Sequence, residues 1–343
     1  MGVHSRQPVL ISCPLCGSDD YTVVSRYGGL WNHRLTNVAC RDCGFVFRNP
    51  PWGPRETSEF YRCVSRYYVE AYETDRLQGD FAPRYAQSDA RRAAWVQAYL
   101  PAGARLLDVG AGNGCLIAAA TAAGLQAEGV ELDEDAVADA RRRGLPVHLV
   151  PFEQVTWPAE SFAAIAMIDV LEHCVDLRVF LRQARRLVPD GGLLFVEVPD
   201  ITTLHMKPEY LLVPEHNWHF TTRTLRCLLA QEGWRIEDEQ IIPEPEDAAD
   251  GVAVVARKTH IADVAACATG AAEHDRVLVH LARARREARL AWSQRLRDVL
   301  TRALGPRAGL RVYRLTMRLY LGLKKALGLY REAGGTIETN RER

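Results

Sequence analysis

Residues 106–114 read Leu-Leu-Asp-Val-Gly-Ala-Gly-Asn-Gly, and an acid, Glu131, follows 17 residues after Gly114. No other feature constrains the fold of this chain as tightly. Leu106, Leu107 and Val109 are the side chains of a buried strand. The glycines that follow have no Cβ, so the backbone turns sharply there and comes close to a ligand. A helix then leads into a second strand, Gly129-Val130-Glu131, whose terminal carboxylate is placed to accept both hydroxyls of a ribose. Strand, glycine turn, helix, strand and acid together make a nucleoside-binding unit.

The glycine spacing separates two cofactor classes. Gly-x-Gly-x-x-Gly seats a pyrophosphate on a helix N-terminus. Here the pattern is Asp-x-Gly-x-Gly-x-Gly. Asp108 repels a pyrophosphate and suits an ammonium. S-adenosylmethionine carries an ammonium, a sulfonium and a ribose but no phosphate, so the charges favour it. The competing reading is a packing turn in some other α/β protein.

The 343 residues leave room for a full α/β domain with additions, and 48% hydrophobic with 25% charged residues is the composition of an ordinary globular chain. Residues 1–8 are polar, so no signal peptide is expected, and no run of about 18 apolar residues is present to span a bilayer. Nine cysteines in that setting suggest a reducing cytoplasm and thiols used for metal.

Two knuckles, Cys13-Pro-Leu-Cys16-Gly and Cys40-Arg-Asp-Cys43-Gly, lie 23 residues apart. Four thiolates suit a closed tetrahedral Zn2+ site, structural because no coordination position stays open. Short β segments at 21–24, 38–39 and 45–47 make the module a zinc ribbon, with a redox dithiol as the alternative. His33 as a substitute ligand competes with a surface histidine. The remaining cysteines, Cys63, Cys115, Cys174, Cys227 and Cys267, read as ordinary buried thiols.

Beyond a Pro-rich linker at 49–54 and a tyrosine-rich stretch (Tyr61, Tyr67, Tyr68, Tyr72), strands and helices alternate. Strands are expected near 105–109, 127–131, 147–150, 164–168 and 193–198. Helices are expected at 88–100, 114–123, 134–143, 177–187 and 222–232, and a closing hairpin at 234–241 and 251–257. Alternation of this kind implies a parallel sheet with its ligand at the strand ends.

Residues 92–257 resemble the class I S-adenosylmethionine-dependent methyltransferases. The matching pieces are Leu107-Asp108-Val-Gly-Ala-Gly-Asn-Gly114, Glu131, Ser161-Phe162, Asp169-Val-Leu-Glu172-His173 and Leu187-Val-Pro-Asp-Gly-Gly192. Pro214-Glu-His-Asn-Trp-His219-Phe220 fits one large branch of that superfamily. The knuckles followed by Phe-Val-Phe-Arg-Asn-Pro resemble the zinc-ribbon prefix of some bacterial members, often sugar or secondary-metabolite methyltransferases. The chain departs from the pattern at Ala163, where the family commonly has Asp.

The resemblance implies an α/β, Rossmann-like, seven-stranded and mostly parallel sheet with helices on both faces. It divides the chain into a zinc ribbon (1–50), a linker and helical lid (51–91), the S-adenosylmethionine-binding domain (92–257) and a basic helical extension (258–343). Asp108 faces the methionine end of the cofactor. Gly110, Ala111 and Gly112 let it lie against the turn, Glu131 holds the ribose, and Leu132 packs on the adenine. Phe152 offers a backbone amide near the adenine, and Glu153 a carboxylate near its exocyclic amine, with a solvated loop acid as the alternative. Asp169 stands beside the transferring methyl.

Asp169, Glu172 and His173 are spaced three and four apart, so one turn gathers them. With His219 they form a candidate site for Mg2+ or Mn2+, as in related ubiquinone and small-RNA methyltransferases with Glu-x-x-Glu-His. The chain has the shorter Asp169 in place of the first Glu. In the alternative reading Glu172 and His173 only cap and orient a helix. His219, ahead of His216, is the candidate general base, and a lid-holding histidine is the competing role.

The net charge of +0 hides an asymmetry: residues 258–343 hold 18 Lys+Arg against 8 Asp+Glu. Two amphipathic helices are expected there, at 276–302 and 311–331. They pack on the catalytic domain or on a second subunit of a homo-oligomer, lie on an anionic membrane surface, or bind nucleic acid. The expected protein is a cytoplasmic enzyme, or one peripheral to the inner face of the membrane. It moves a methyl to a hydroxyl of a sugar, glycan, lipid-linked or other small-molecule acceptor. An RNA methyltransferase and a non-catalytic cofactor- or partner-binding module are the rivals.

Overall fold

The computed structural model describes residues 10–28, 34–60, 82–204, 212, 215–242, 249–259 and 270–288, with 299–300 and scattered positions from 303 to 319. Tyr61, Tyr67, Tyr68 and Tyr72 of the tyrosine-rich stretch lie outside these residues, as do His33, Cys63, Cys267 and residues 243–248.

The N-terminal module is an antiparallel meander of β1 (Tyr21–Gly28), β2 (Arg34–Cys40) and β3 (Val46–Arg48). The chain continues through α1 (Pro54–Phe60) and α2 (Ala82–Gln97). The alternating part follows: β4 (Arg105–Val109), α3 (Cys115–Ala122), β5 (Gln126–Glu131), α4 (Glu134–Arg142), β6 (Val147–Leu149), β7 (Ala164–Ile168), α5 (Leu177–Leu187) and β8 (Leu193–Leu204). A two-residue strand, β9 (Trp218–His219), precedes α6 (Thr222–Gln231), the hairpin β10 (Trp234–Ile242) and β11 (Ala249–Lys258), and α7 (Gly270–Ala288).

Seven strands form the central sheet in the order β10-β11-β8-β7-β4-β5-β6. The contacts from β8 to β6 are parallel, and β11 alone runs against its neighbours. This is the mostly parallel Rossmann-like sheet that the sequence implies. Both faces of β4, β7 and β8 are covered, and they read as near-continuous apolar runs for that reason. The helices begin where caps are available. Asp133 accepts from the backbone of Asp135 and Ala136 at the start of α4, and Asp176 does the same for Arg178 and Val179 in α5. In α5 the apolar Leu177, Phe180, Leu181, Ala184 and Leu187 recur at helical spacing and turn inward.

The cysteine module is built into this body. Its sheet is completed by β9, with Val46 paired to His219 and Phe47 to Trp218. Side chains alternate across β2 and β3. Val38, Phe45 and Phe47 face inward and join Leu107, Ile165, Trp218 and Phe220 in one apolar cluster. Ala39 and Val46 face the other way and are covered by Val277, Leu281 and Ala284 of α7. The first part of the C-terminal extension therefore packs on the body. Among the scattered cysteines, Cys174 is a buried thiol as expected, whereas Cys115 is only half-buried and donates to Asn113 Oδ1 at 3.0 Å. Cys227 corrects that expectation, because it is disulfide-bonded.

Helix α7 meets the second knuckle at Gly44. A Cβ there would lie 2.7 Å from Glu273 Cγ and 2.8 Å from the backbone of Glu273 and His274, and φ is +76°. Gly44→Ala is expected to destabilise the protein by about 2 kcal/mol or more through strain and overpacking. Urea unfolding checks this; a loss below about 0.5 kcal/mol would mean that α7 is not seated on the knuckle.

Candidate functional site

The glycine turn is pinned to the neighbouring strand, since the N–H groups of Gly110 and Ala111 both donate to Val130 O, at 2.9 and 3.0 Å. At Gly110 φ is +70°, and a Cβ would fall 2.7 Å from Val170 Cγ2, so the turn lies directly against the loop that follows β7. A Cβ at Gly112 would meet nothing within 4 Å, which leaves space above the turn. The Glu131 carboxylate faces that space. Its Oε2 accepts from Gly112 N at 2.8 Å, and its Oε1 accepts from Leu132 N and Asp133 N. Leu132 beside it is 51% exposed, an apolar surface at the rim. Asp108 is buried under the turn.

Phe152 turns away from this rim. Its ring is buried and packs on Phe180 at 5.4 Å between centroids, so only its backbone is available to a ligand. Glu153 is exposed on the same short turn.

Asp169, at the tip of β7, has φ of 55°, a left-handed conformation uncommon for a residue with a side chain. Its N–H donates to Glu197 O (2.8 Å), and its Oδ2 accepts from Arg92 Nη2 (2.8 Å). Arg92 also pairs with the buried Glu197, and Arg91 Nη2 reaches both Glu197 oxygens, at 3.1 and 3.2 Å. The Asp169 carboxyl is half exposed to solvent. Desolvation there raises its pKa, and Arg92 works in the opposite direction.

Glu172, His173 and His216 come together, with one ligand atom from each lying within 4.8 Å of the others. The rings of His173 and His216 meet edge to face at 4.5 Å. Glu172 Oε2 is buried without a hydrogen-bond partner among protein groups. Burial, then the Asp169 charge, raises the Glu172 pKa well above the usual carboxylate range. Desolvation lowers His173 to about 4. A buried acid oxygen and two imidazoles are hard and borderline donors of the kind that take a divalent cation or share a proton.

The sequence places Asp169 and His219 in this group, and the structure brings in His216 instead. Asp169 is engaged by Arg92. His219 is 3% exposed, its Nε2 lies 3.2 Å from Asn37 Oδ1 of the cysteine module, and its backbone pairs with Val46. Burial, Arg48 and His173 lower it to about 3, so it is a weak proton acceptor near neutrality. These partners make His219 a joint between the module and the body.

Arg48, at the end of β3, is buried and donates to His216 O (2.9 Å) and to Asn217 Oδ1 (3.2 Å). It stacks over Trp52 with its guanidinium carbon 4.4 Å from the ring centre. Neither Arg48 nor Glu197 stands out as a site residue in the sequence. The only signal for Glu197 is an acid interrupting the apolar run of β8.

In the cysteine cluster, Cys13 Sγ and Cys43 Sγ are 3.5 Å apart, as are Cys16 Sγ and Cys40 Sγ, and all four sulfurs lie within 4.8 Å of one another. A tetrahedral zinc with ~2.3 Å bonds needs sulfurs about 3.8 Å apart, so the cluster fits such an ion. Hydrogen bonding to Cys40 pushes the Cys13 thiol up, and hydrogen bonding to Cys13 pulls Cys40 down.

A methyltransferase-domain family model matches residues 80–239. The ubiquinone biosynthesis O-methyltransferase of Bordetella avium is 31% identical over 144 residues, which cover 39% of this chain and 57% of that protein. Its counterpart from Xanthomonas axonopodis pv. citri is 30% identical over 175 residues, covering 43% of this chain and 70% of that one. This chain thus spans less than two thirds of the Bordetella relative. A solved SAM-dependent methyltransferase from Thermotoga maritima is 22% identical, with a TM-score of 0.47, covering 60% of this chain and all of that one.

The pKa of His219 gives a test of its structural role. The folded chain keeps the ring neutral down to about pH 3, whereas an unfolded histidine protonates near 6.5. The unfolded state therefore binds more protons as pH falls below 6.5, and stability drops. His219→Gln removes this dependence. Its stability gap from the parent is expected to shrink by on the order of 2 kcal/mol between pH 7 and pH 5. Urea midpoints at the two pH values measure it, and a constant gap would place the ring in contact with water.

Proposed function

This chain belongs to the S-adenosylmethionine-dependent methyltransferases, and from that membership we propose that it moves a methyl group to a hydroxyl of a sugar, lipid-linked or other small metabolite. The observation that carries the reading is the continuity of two sites. The glycine turn with Glu131 touches the loop that bears Glu172 and His173 through the Gly110–Val170 contact. S-adenosylmethionine, when bound, supplies an electrophilic methyl on a sulfonium. Space above Gly112, the Glu131 carboxylate and the exposed Leu132 suit its turn-side, ribose and adenine parts. Asp108 suits the ammonium end, Phe152 and Glu153 the far edge of the adenine, and Asp169 the methyl side.

Methylation of an alcohol needs the hydroxyl proton removed or its acidity raised. Glu172, His173 and His216 are the groups for this task. The buried Glu172 oxygen without a protein partner supports a divalent ion, Mg2+ or Mn2+, held by these three. A cation there would raise the acidity of the acceptor hydroxyl and stabilise the developing alkoxide. Arg48 is a positioning residue, holding His216 and Asn217 from the cysteine module. Zn2+ in the four-cysteine cluster has a structural role. The likeness to the Bordetella ubiquinone biosynthesis O-methyltransferase supports a small-molecule acceptor.

Glu131→Ala is expected to weaken S-adenosylmethionine binding by about 1.5–3 kcal/mol, the worth of hydrogen bonds to a charged acceptor. Calorimetric titration checks it, and affinity within about twofold of the parent would remove Glu131 from the cofactor site.

For the chemistry, mild chelation that spares the cysteine-bound zinc is expected to abolish transfer in a panel of hydroxyl acceptors, and Mg2+ or Mn2+ to restore it. Glu172→Gln and His216→Ala are each expected to lower turnover by roughly 10²–10⁴-fold with cofactor affinity retained. Chelator-insensitive activity would leave His216 as a base acting alone, and full activity of both variants would reject the assignment.

A further inference from the structure

We propose that the C-terminal segment 306–331 docks on an anionic lipid bilayer surface. This surface is separate from the methyl-transfer site, and the inference does not rest on the acceptor. Segment 306–331 contains seven Lys+Arg and no Asp or Glu. It is set apart from the preceding helical residues by Gly305, at φ +77°, followed by Pro306.

Within the segment, the described positions Ala308, Arg311, Val312, Leu315 and Leu319 are helical, and all are exposed. Leu315 is 62% and Leu319 68% exposed, and Val312 beside them is exposed as well. At ~100° per residue Ala308, Val312, Leu315 and Leu319 share an arc of about 60°. In the sequence the same spacing runs on through Leu323, Ala326 and Tyr330. Arg311, Arg314 and Arg318 fall on the adjoining side of that wheel.

The contrast with α7 is informative. That helix turns Val277, Leu281 and Ala284 onto the cysteine-module sheet, and its first turn holds Glu273, which accepts from Thr221 Oγ1 at 2.7 Å. Its apolar face is covered and its acid is used. In segment 306–331 the described Val312, Leu315 and Leu319 are turned to solvent, and the sequence adds seven cations and no acid to repel phosphate. A second copy of the same segment would bring two strongly cationic flanks together. An anionic bilayer satisfies both faces at once: leucines enter the acyl boundary and guanidiniums stay among headgroup phosphates. The geometry is that of a helix lying in the interface, and no helix among the described residues is long and apolar enough to cross a membrane.

The test is co-sedimentation of the full chain with vesicles of phosphatidylcholine alone or mixed with phosphatidylglycerol. The chain is expected to bind the mixed vesicles, to ignore pure phosphatidylcholine, and to bind less as salt rises. Leu315→Glu/Leu319→Glu is expected to lose at least tenfold in binding. Arg311→Gln/Arg314→Gln/Arg318→Gln is expected to lose on the order of 10²-fold, about fivefold per residue. Circular dichroism and S-adenosylmethionine titration, unchanged in both variants, show that the body is intact. No binding of the parent to mixed vesicles, or variants that bind like the parent, would overturn the proposal. So would a dimer, seen by sedimentation velocity without lipid, that the leucine variant abolishes, because the face would then belong to a second copy.

Discussion

Asn217 is the joint on which the site depends. Its side-chain oxygen accepts from Arg48 Nη1 and Trp52 N, and its amide nitrogen donates to Trp52 O and Cys174 O. Its backbone N–H donates to Glu172 O, and its carbonyl accepts from Arg48 N. A buried amide satisfied on every side has one orientation available, and leaving any partner unmet costs about 1–3 kcal/mol. One residue thus ties the end of β3, the loop carrying Glu172 and His173, and the strand carrying His219. His216 is the preceding residue, so its position follows from the same bonds.

This joint changes what the cysteine module means. A zinc ion held by all four sulfurs, as proposed, would have no open coordination position and no chemistry of its own at the reacting atoms. Its contribution is mechanical: the knuckles fix β2 and β3, and these deliver Asn37 and Arg48 to residues 216–219. The inner face of the module shares its apolar cluster with the strands that carry the glycine turn, and its outer face is closed by α7. The module serves as the support that holds residues 216–219 against the body.

Much of this was legible in the sequence where local chemistry decides structure. The glycine turn, Glu131 and the strands at 105–109 and 164–168 are local patterns, and the structure reproduces them. Caps at Asp133 and Asp176 mark helix starts as their residue types suggest. The pairing of β3 with β9 was not legible, because it joins residues more than 170 positions apart and no short-range pattern encodes it. For the same reason the sequence alone put His219, and not His216, beside Glu172 and His173. His173 and His216 meet, while His219 lies inside the module interface against Asn37. The Arg91, Arg92 and Glu197 network was hidden likewise, since its members come from α2 and β8.

Native-state hydrogen exchange read by peptide mass spectrometry tests the shared construction most directly. The account predicts that peptides from β2, β3 and residues 215–220 open with the same free energy as peptides from β4 and β7, because one core and one joint hold them. Opening of β2 and β3 at a free energy lower by about 2 kcal/mol or more, with β4, β7 and residues 215–220 still protected, would show an independent appendage and contradict the account.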